Sequence, residues 1–166
     1  MAASMTVFIT GGSGFVGQYL IKNLIQKRFH VKALARKTEA VEKVKKLGAI
    51  AIEGDISQKA ILEHAMRDCV SVFHLAASVN FYATADELMD LHVEATKLLL
   101  EIAKLAKVKN FIYLGAASVI INGQPIQNAD ESLLSNNLTD GYSITKLMAE
   151  KLVLKENSKQ FLSVLH

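Results

Sequence analysis

Tyr142 and Lys146 stand four residues apart in Tyr142-Ser143-Ile144-Thr145-Lys146, the start of a helix-like run. At that spacing both side chains share one helical face. An ammonium beside a phenol favours the phenolate, lowers the tyrosine pKa and lets the hydroxyl exchange a proton near neutral pH. A hydride transfer needs such a proton partner. Tyr and Lys are also ordinary helix-surface residues, so the pair gains meaning only from its company.

That company is Thr10-Gly11-Gly12-Ser13-Gly14-Phe15-Val16-Gly17. Met5 to Ile9 before it reads as a buried strand, and Leu20 and Leu24 after it recur at helical spacing. A glycine turn that ends a strand and starts a helix presents backbone N–H groups at a positive helix end, where a pyrophosphate can sit. Glycines 12, 14 and 17 fit G-x-G-x-x-G, and glycines 11, 14 and 17 fit a three-residue spacing. We expect the turn from Gly11 to Gly17 to hold a dinucleotide. A plain strand–helix turn is the competing reading, because glycine serves turns for steric reasons alone.

The dinucleotide fingerprint calls for an acid at the end of the second strand. Here Ala35 holds that place, followed by Arg36 and Lys37. A carboxylate would repel a 2′-phosphate, whereas a guanidinium grips one with paired, charge-assisted hydrogen bonds. Arg36 is therefore expected to select NADP, with NAD as the other cofactor considered; otherwise it is a solvated strand-end residue. Asp55-Ile56 follows the third strand at the same sheet edge. Asp55 is either an acceptor for the adenine amino group or the cap of a helix starting near Ser57. His74-Leu75-Ala76-Ala77 ends the fourth strand, and small residues there let the backbone approach a cofactor ribose. His74 itself reads as a packed strand histidine.

Positioning these groups falls to alternating strands and helices. Strand-like runs are Met5–Thr10, His30–Ala35, Ala49–Glu53, Val70–Leu75, Asn110–Gly115 and Phe161–Leu165. Helix-like runs are Phe15–Arg28, Glu39–Leu47, Gln58–Met66, Thr84–Ala106 and Tyr142–Asn157. The strands are continuous apolar runs, as in a parallel sheet covered on both faces. The expectation is one doubly wound, Rossmann-type α/β domain over residues 1–166, with ligands at the carboxyl ends of the strands. A long polar loop spans Val119 to Asp140. The chain stops at His166 straight after a strand-like run, so we expect a fragment.

Bulk properties narrow the classes. Hydrophobic residues make up 51% of the chain, enough for a core, and the net charge of +3 is too mild to argue for nucleic acid. The single cysteine, Cys69, excludes an internal disulfide and a C-x-x-C metal site. The longest apolar run, Phe111 to Ile121, is too short and broken to span a bilayer, and nothing resembles a signal peptide. The expected setting is cytoplasmic, with a small-molecule substrate and neither metal, nucleic acid nor membrane. Asp86, Asp90 and Glu94 read as a solvated acidic face. Leu91, Leu98, Ile102 and Leu105 on the same helix read as core or dimer packing, which leaves a homodimer open.

Taken together, the chain resembles the N-terminal part of an extended short-chain dehydrogenase/reductase, in particular the 3β-hydroxysteroid dehydrogenase/isomerase-like branch. The matching residues are the glycine turn, Gly54-Asp55, His74-Leu75-Ala76-Ala77, Asn110-Phe111-Ile112-Tyr113, Asn128-Ala129-Asp130-Glu131-Ser132, and Tyr142 through Lys151. The resemblance implies an oxidoreductase working on a secondary alcohol or ketone, sterol-like or sugar-derived. It implies Tyr142 as the acid/base, Lys146 on the nicotinamide ribose, and a substrate pocket finished by a C-terminal region absent from this chain. The 166 residues alone are then expected to be inactive. It also exposes two departures. The family's catalytic serine falls on Ala116, with Ser118 two residues on as the nearby hydroxyl, either a substitute or a partner for loop backbone. The family's relay asparagine is His92, whose imidazole can still bind a water. Losing one such donor costs about two to three orders of magnitude in rate, so a non-catalytic NADP-binding sensor or scaffold is the alternative function.

Overall fold

In the computed structural model, residues 5–80, 82–121, 123, 127–128, 138–158 and 161–165 are described. Strand β1 (Thr6–Thr10) sends Val7 and Ile9 into one apolar core and Phe8 into another. This is the period-two alternation of a strand covered on both faces. The other strands are β2 (His30–Ala35), β3 (Ile50–Glu53), β4 (Cys69–His74), β5 (Asn110–Tyr113) and β6 (Leu162–Leu165). All pair in parallel, in the order β3-β2-β1-β4-β5-β6. The chain builds outward from β1 to β3, then returns to lay β4 on the other side of β1. That reversal opens a crevice at the carboxyl ends of β1 and β4.

Helices α1 (Phe15–Gln26) and α2 (Thr38–Lys46) bury Ile21, Leu24, Val41 and Val44 against one sheet face. On the other face lie α3 (Lys59–Met66), α5 (Ala95–Leu105) and α6 (Gly141–Lys155), contributing Leu62, Leu99, Ile102, Ala149 and Val153. The short α4 (Ala85–Leu88) leads into α5 through a π-helical turn, Met89–Glu94. Thr84 and Glu87 form a capping box at the start of α4.

Several boundaries move from their sequence-based places for definite reasons. The first helix stops at Gln26, short of Arg28, because Arg28 takes a left-handed φ of 65° to turn the chain into β2. Asp68 (φ 64°), Lys107 (φ 57°) and Gly48 (φ 90°) do the same after α3, α5 and α2. The helix expected as one piece over Thr84–Ala106 is split by its π turn, a feature that gathers at functional sites. Leu105 is 67% exposed rather than core, whereas Ile102 is 1% exposed. Cys69 opens β4 and is buried, and burial pushes its thiol up to about 11. Ala129 to Ser132 of the family match lie outside the described residues. Among the described residues no helix is long and apolar enough to cross a membrane.

Candidate active site

The glycine turn sits where β1 meets the crevice. Gly11 takes a φ of 74°, and a Cβ there would lie 2.7 Å from Ala76 N and from the Leu75 carbonyl carbon. Only a residue without a side chain lets β1 and the end of β4 approach so closely. At Gly17 a Cβ would lie 2.3 Å from Gly11 O, so the first turn of α1 rests on the glycine turn itself. No side chain caps α1, its first turn holds no acid, and Gly14, Phe15 and Val16 are exposed. Ser13 and Gly14 carbonyls accept from Gln18 Nε2 at 3.2 and 3.1 Å, which directs Gln18 along the loop. An uncapped positive helix end, backed by close-packed glycine, suits a pyrophosphate.

At the ends of β2 and β3, Arg36 Nη1 donates to Asp55 Oδ2 at 3.0 Å. Asp55 does not cap a helix: α3 starts at Lys59, and Asp55 Oδ1 instead accepts from Ser57 N at 3.0 Å and Ser57 Oγ at 2.9 Å. This local turn competes successfully with the cap because two donors of one residue converge on one oxygen. The Ser57 backbone N–H, with the Ser57 hydroxyl and Arg36, holds the Asp55 carboxyl below its ordinary range. Arg36, Asp55 and Ile56 line a cavity of about 640 Å3 with Ser78, Asn80, Glu87, Asp90 and Glu94. Arg36 is the one cation among the described residues of that lining.

On the far side of the crevice, Tyr142 and Ser118 line a second cavity, of about 630 Å3. Its other walls are Val79, Asn80, Ala83, Ala85, Leu88, Asp140, Gly141 and Ser143. Ser118 lies on a 3-10 turn (Ala117–Ile120), and that turn, rather than Ala116, reaches the cavity. Ser143 Oγ donates to Ser118 Oγ at 2.8 Å, leaving the Ser118 proton for another acceptor. Asp140, unremarked in the sequence, caps α6 by accepting from Ser143 N at 2.7 Å. An Asp one residue before the helix was the available signal. Val79, Asn80 and Ala83 had no comparable signal, because they lie between elements and carry no periodicity; Ala85 and Leu88 fall on the helix-like run from Thr84.

Lys146 is 3% exposed. Its Nζ donates to Leu114 O at 2.6 Å and stands 4.1 Å from the centre of the Tyr113 ring. Burial pushes its ammonium down to about 8, with Glu150 opposing. The expected lowering of the Tyr142 pKa is not found: burial, then the Asp140 carboxylate, raises it. The ammonium is committed to Leu114 O and the Tyr113 face instead.

The two histidines are also more engaged than their sequence setting indicated. Ser78 N donates to His92 Nε2 at 3.0 Å, so that nitrogen is the acceptor and Nδ1 carries the proton to Thr145 Oγ1 at 2.8 Å. Both nitrogens are thus taken by protein, and the water expected at His92 has no place on its ring. Thr96 Oγ1 donates to His92 O at 2.5 Å, so His74 Nε2 must be the donor in its 2.9 Å bond to Thr96 Oγ1. His74 Nδ1 then accepts from Thr10 Oγ1 at 2.7 Å. Burial, with the Lys146 charge added, pushes His74 down to about 3 and His92 to about 4.

A family model described as the 3-beta hydroxysteroid dehydrogenase/isomerase family matches residues 8–164. The chain is 35% identical over 161 residues to 4-hydroxy-2-methyl-3-oxo-4-farnesyl-3,4-dihydroquinoline-1-oxide ketoreductase of Stigmatella aurantiaca, covering 96% of this chain and 48% of that protein. It is 34% identical to a 3-beta-hydroxysteroid dehydrogenase of Mycolicibacterium neoaurum, covering 93% and 44% respectively. Among solved structures it is similar to UDP-glucuronic acid 4-epimerase from Bacillus cereus in complex with UDP-glucuronic acid and NAD. That likeness has a TM-score of 0.81 and 26% identity, over 97% of this chain and 55% of the other. The chain therefore spans about half the length of the curated relatives it matches.

Proposed function

The chain belongs to the 3-beta hydroxysteroid dehydrogenase/isomerase family, and from that premise we propose that it is the cofactor-binding part of an NADP-dependent oxidoreductase acting on a secondary alcohol or its ketone. The observation that carries this reading is that Tyr142 and Ser118 line one cavity, while Lys146 lies buried on the same helix. A nicotinamide dinucleotide, when bound, supplies or accepts the hydride. The glycine turn from Gly11 to Gly17 receives the pyrophosphate. Arg36 takes the 2′-phosphate, Asp55 and Ile56 the adenosine, and Leu75, Ala76 and Ala77 the ribose. The NAD bound to the Bacillus cereus epimerase supports NAD as the other cofactor; the Arg36 guanidinium supports NADP.

Tyr142 passes the proton to or from the substrate oxygen, and Ser118 donates a hydrogen bond to that oxygen with the proton its bond from Ser143 leaves free. Lys146, at about 8, is largely protonated at neutral pH; with one N–H on Leu114 O, another would hold the nicotinamide ribose. The apolar wall of Val79, Ala83, Ala85 and Leu88 favours a sterol-like or prenylated body over a sugar. Ala116, a methyl where the family has a hydroxyl, favours the second reading, a non-catalytic NADP-binding module.

The test uses the full-length protein, NADPH and a panel of apolar ketones. Tyr142→Phe is expected to lower kcat by about 10²–10⁴-fold; unchanged turnover overturns the assignment. Calorimetry showing no NADPH binding would remove both readings together.

A further inference from the structure

Tyr142 does not stand alone at the start of α6. Its ring packs edge-to-face with the His92 imidazole at a centroid distance of 5.4 Å and an interplanar angle of 87°. His92 is 1% exposed and lies in the π turn that opens the middle helix. Its two nitrogens reach in different directions, to Ser78 N beyond β4 and to Thr145 Oγ1 within α6. Thr145 Oγ1 passes the chain on to Gly141 O at 2.7 Å, the residue just before the tyrosine. Behind His92, its own carbonyl is held by Thr96, and Thr96 by His74, which ends on Thr10 beside the glycine turn. Each ring nitrogen in this chain has one partner, and the Thr145 hydroxyl proton is taken by carbonyls, Gly141 O and, at 3.1 Å, Tyr142 O, so the geometry admits one tautomer for each histidine. An amide at position 92 could not copy it. It carries donor and acceptor on one carbon, whereas the imidazole carries them across a ring and also presents that ring to Tyr142.

We propose that His92 is a positioning residue for Tyr142, joining Ser78, the π turn and the first turn of α6 into one unit that fixes the phenol at the cavity wall. This rests on the reading of Tyr142 as the proton-transfer residue, but it is tested without turnover, so the two can fail separately. His92 touches neither cofactor nor substrate in this role; it acts through the tyrosine.

The first measurement is nitrogen NMR of the unsubstituted chain, with His92 assigned by loss of its signals in His92→Gln. The Nδ1–H tautomer is expected; an Nε2–H tautomer overturns the proposal. The second uses the chain labelled with 3-fluorotyrosine, with the Tyr142 fluorine signal assigned by its loss in Tyr142→Phe. In Thr145→Val and His92→Phe that signal should move toward the position of the exposed Tyr82, and its titration midpoint should fall by about half a pH unit or more. If His92→Phe does not fold, Thr145→Val alone carries the test. A Tyr142 signal and midpoint that stay in place in Thr145→Val, while the unfolding midpoint drops, would reduce His92 to a core packing residue and overturn the proposal.

Discussion

Arg36 and Asp55, which the sequence placed at the ends of different strands, hold each other through a 3.0 Å ion pair in the lining of the larger cavity. Arg36 is 71% exposed at its side chain and Asp55 32%, so the pair itself contributes little to stability. Its effect is to aim the guanidinium. Glu87, Asp90 and Glu94 share the lining, so a 2′-phosphate entering there would meet one cation among four carboxylates, Asp55 included. Arg36→Ala should therefore weaken NADPH binding by about tenfold or more and leave NADH within about twofold. Fluorescence titration of both nucleotides checks this, and equal losses would show that Arg36 does not read the phosphate.

Two glycines in the turn should respond very differently to alanine. A Cβ at Gly17 would collide with Gly11 O at 2.3 Å and Gly12 Cα at 2.7 Å, both backbone. At Gly14 the nearest atom is Gly11 O at 3.2 Å. Gly17→Ala should cost about 2–3 kcal/mol and abolish nucleotide binding, whereas Gly14→Ala should cost under about 1 kcal/mol. Urea midpoints and calorimetry separate the two.

Ser118 and Ser143 form a donor–acceptor pair facing Tyr142. In the full-length protein Ser118→Ala should lower kcat by about 10²–10³-fold while NADPH affinity stays put. Ser143→Ala should give a smaller loss of the same kind, because Ser118 keeps its hydroxyl but not its orientation. Wild-type turnover in Ser118→Ala would return the serine to a loop-bracing role.

Stability should fall in mild acid. His74 and His92 ionise at 6.5 in the unfolded chain, and burial first, then Lys146, pushes them to about 3 and about 4 when folded. Between those values the unfolded chain binds protons that the folded protein refuses. Their contribution is complete above 6.5 and is lost as pH falls toward the folded values. Each adds a slope of up to about 1.4 kcal/mol per pH unit in that window. His92→Gln should lose less stability between neutral and mildly acidic urea titrations than the unsubstituted chain; an equal loss would place the titration elsewhere.

Left-handed backbone offers a stability test away from the site. Lys107 carries a φ of 57° after α5, a conformation that costs a side-chain-bearing residue about 1–2 kcal/mol. Glycine removes that cost but adds unfolded-state freedom. Lys107→Gly should therefore gain about 0.5–1 kcal/mol, and Gly48→Ala, at a φ of 90°, should lose stability. Thermal unfolding of both reads the sign.

The sheet was legible because continuous apolar runs such as Val7-Phe8-Ile9 need two cores, and the glycine turn was legible because only glycine fits against Leu75 and Ala76. Contacts that join distant residues were not. His92 meets Thr145 across 53 positions and His74 meets Thr10 across 64, and no local pattern encodes either. Lys146 misled for a related reason. Its helical spacing from Tyr142 was right, but the Leu114 carbonyl drew the ammonium away. Leu105 kept the helical period of Leu98 and Ile102 yet is exposed, because it lies to the side of the α5 face that carries Leu99, Ile102 and Ala103.

Cys69 has a practical consequence. As the sole cysteine of this chain, its thiol held near 11 remains protonated at neutral pH, and a buried thiol is a slow nucleophile. A maleimide dye should leave the folded chain unlabelled. One cysteine introduced at an exposed position, such as Tyr82, would then take a single label beside the smaller cavity. Alkylation of Cys69 itself would clock each opening at the amino end of β4, turning a silent residue into a timer for local unfolding.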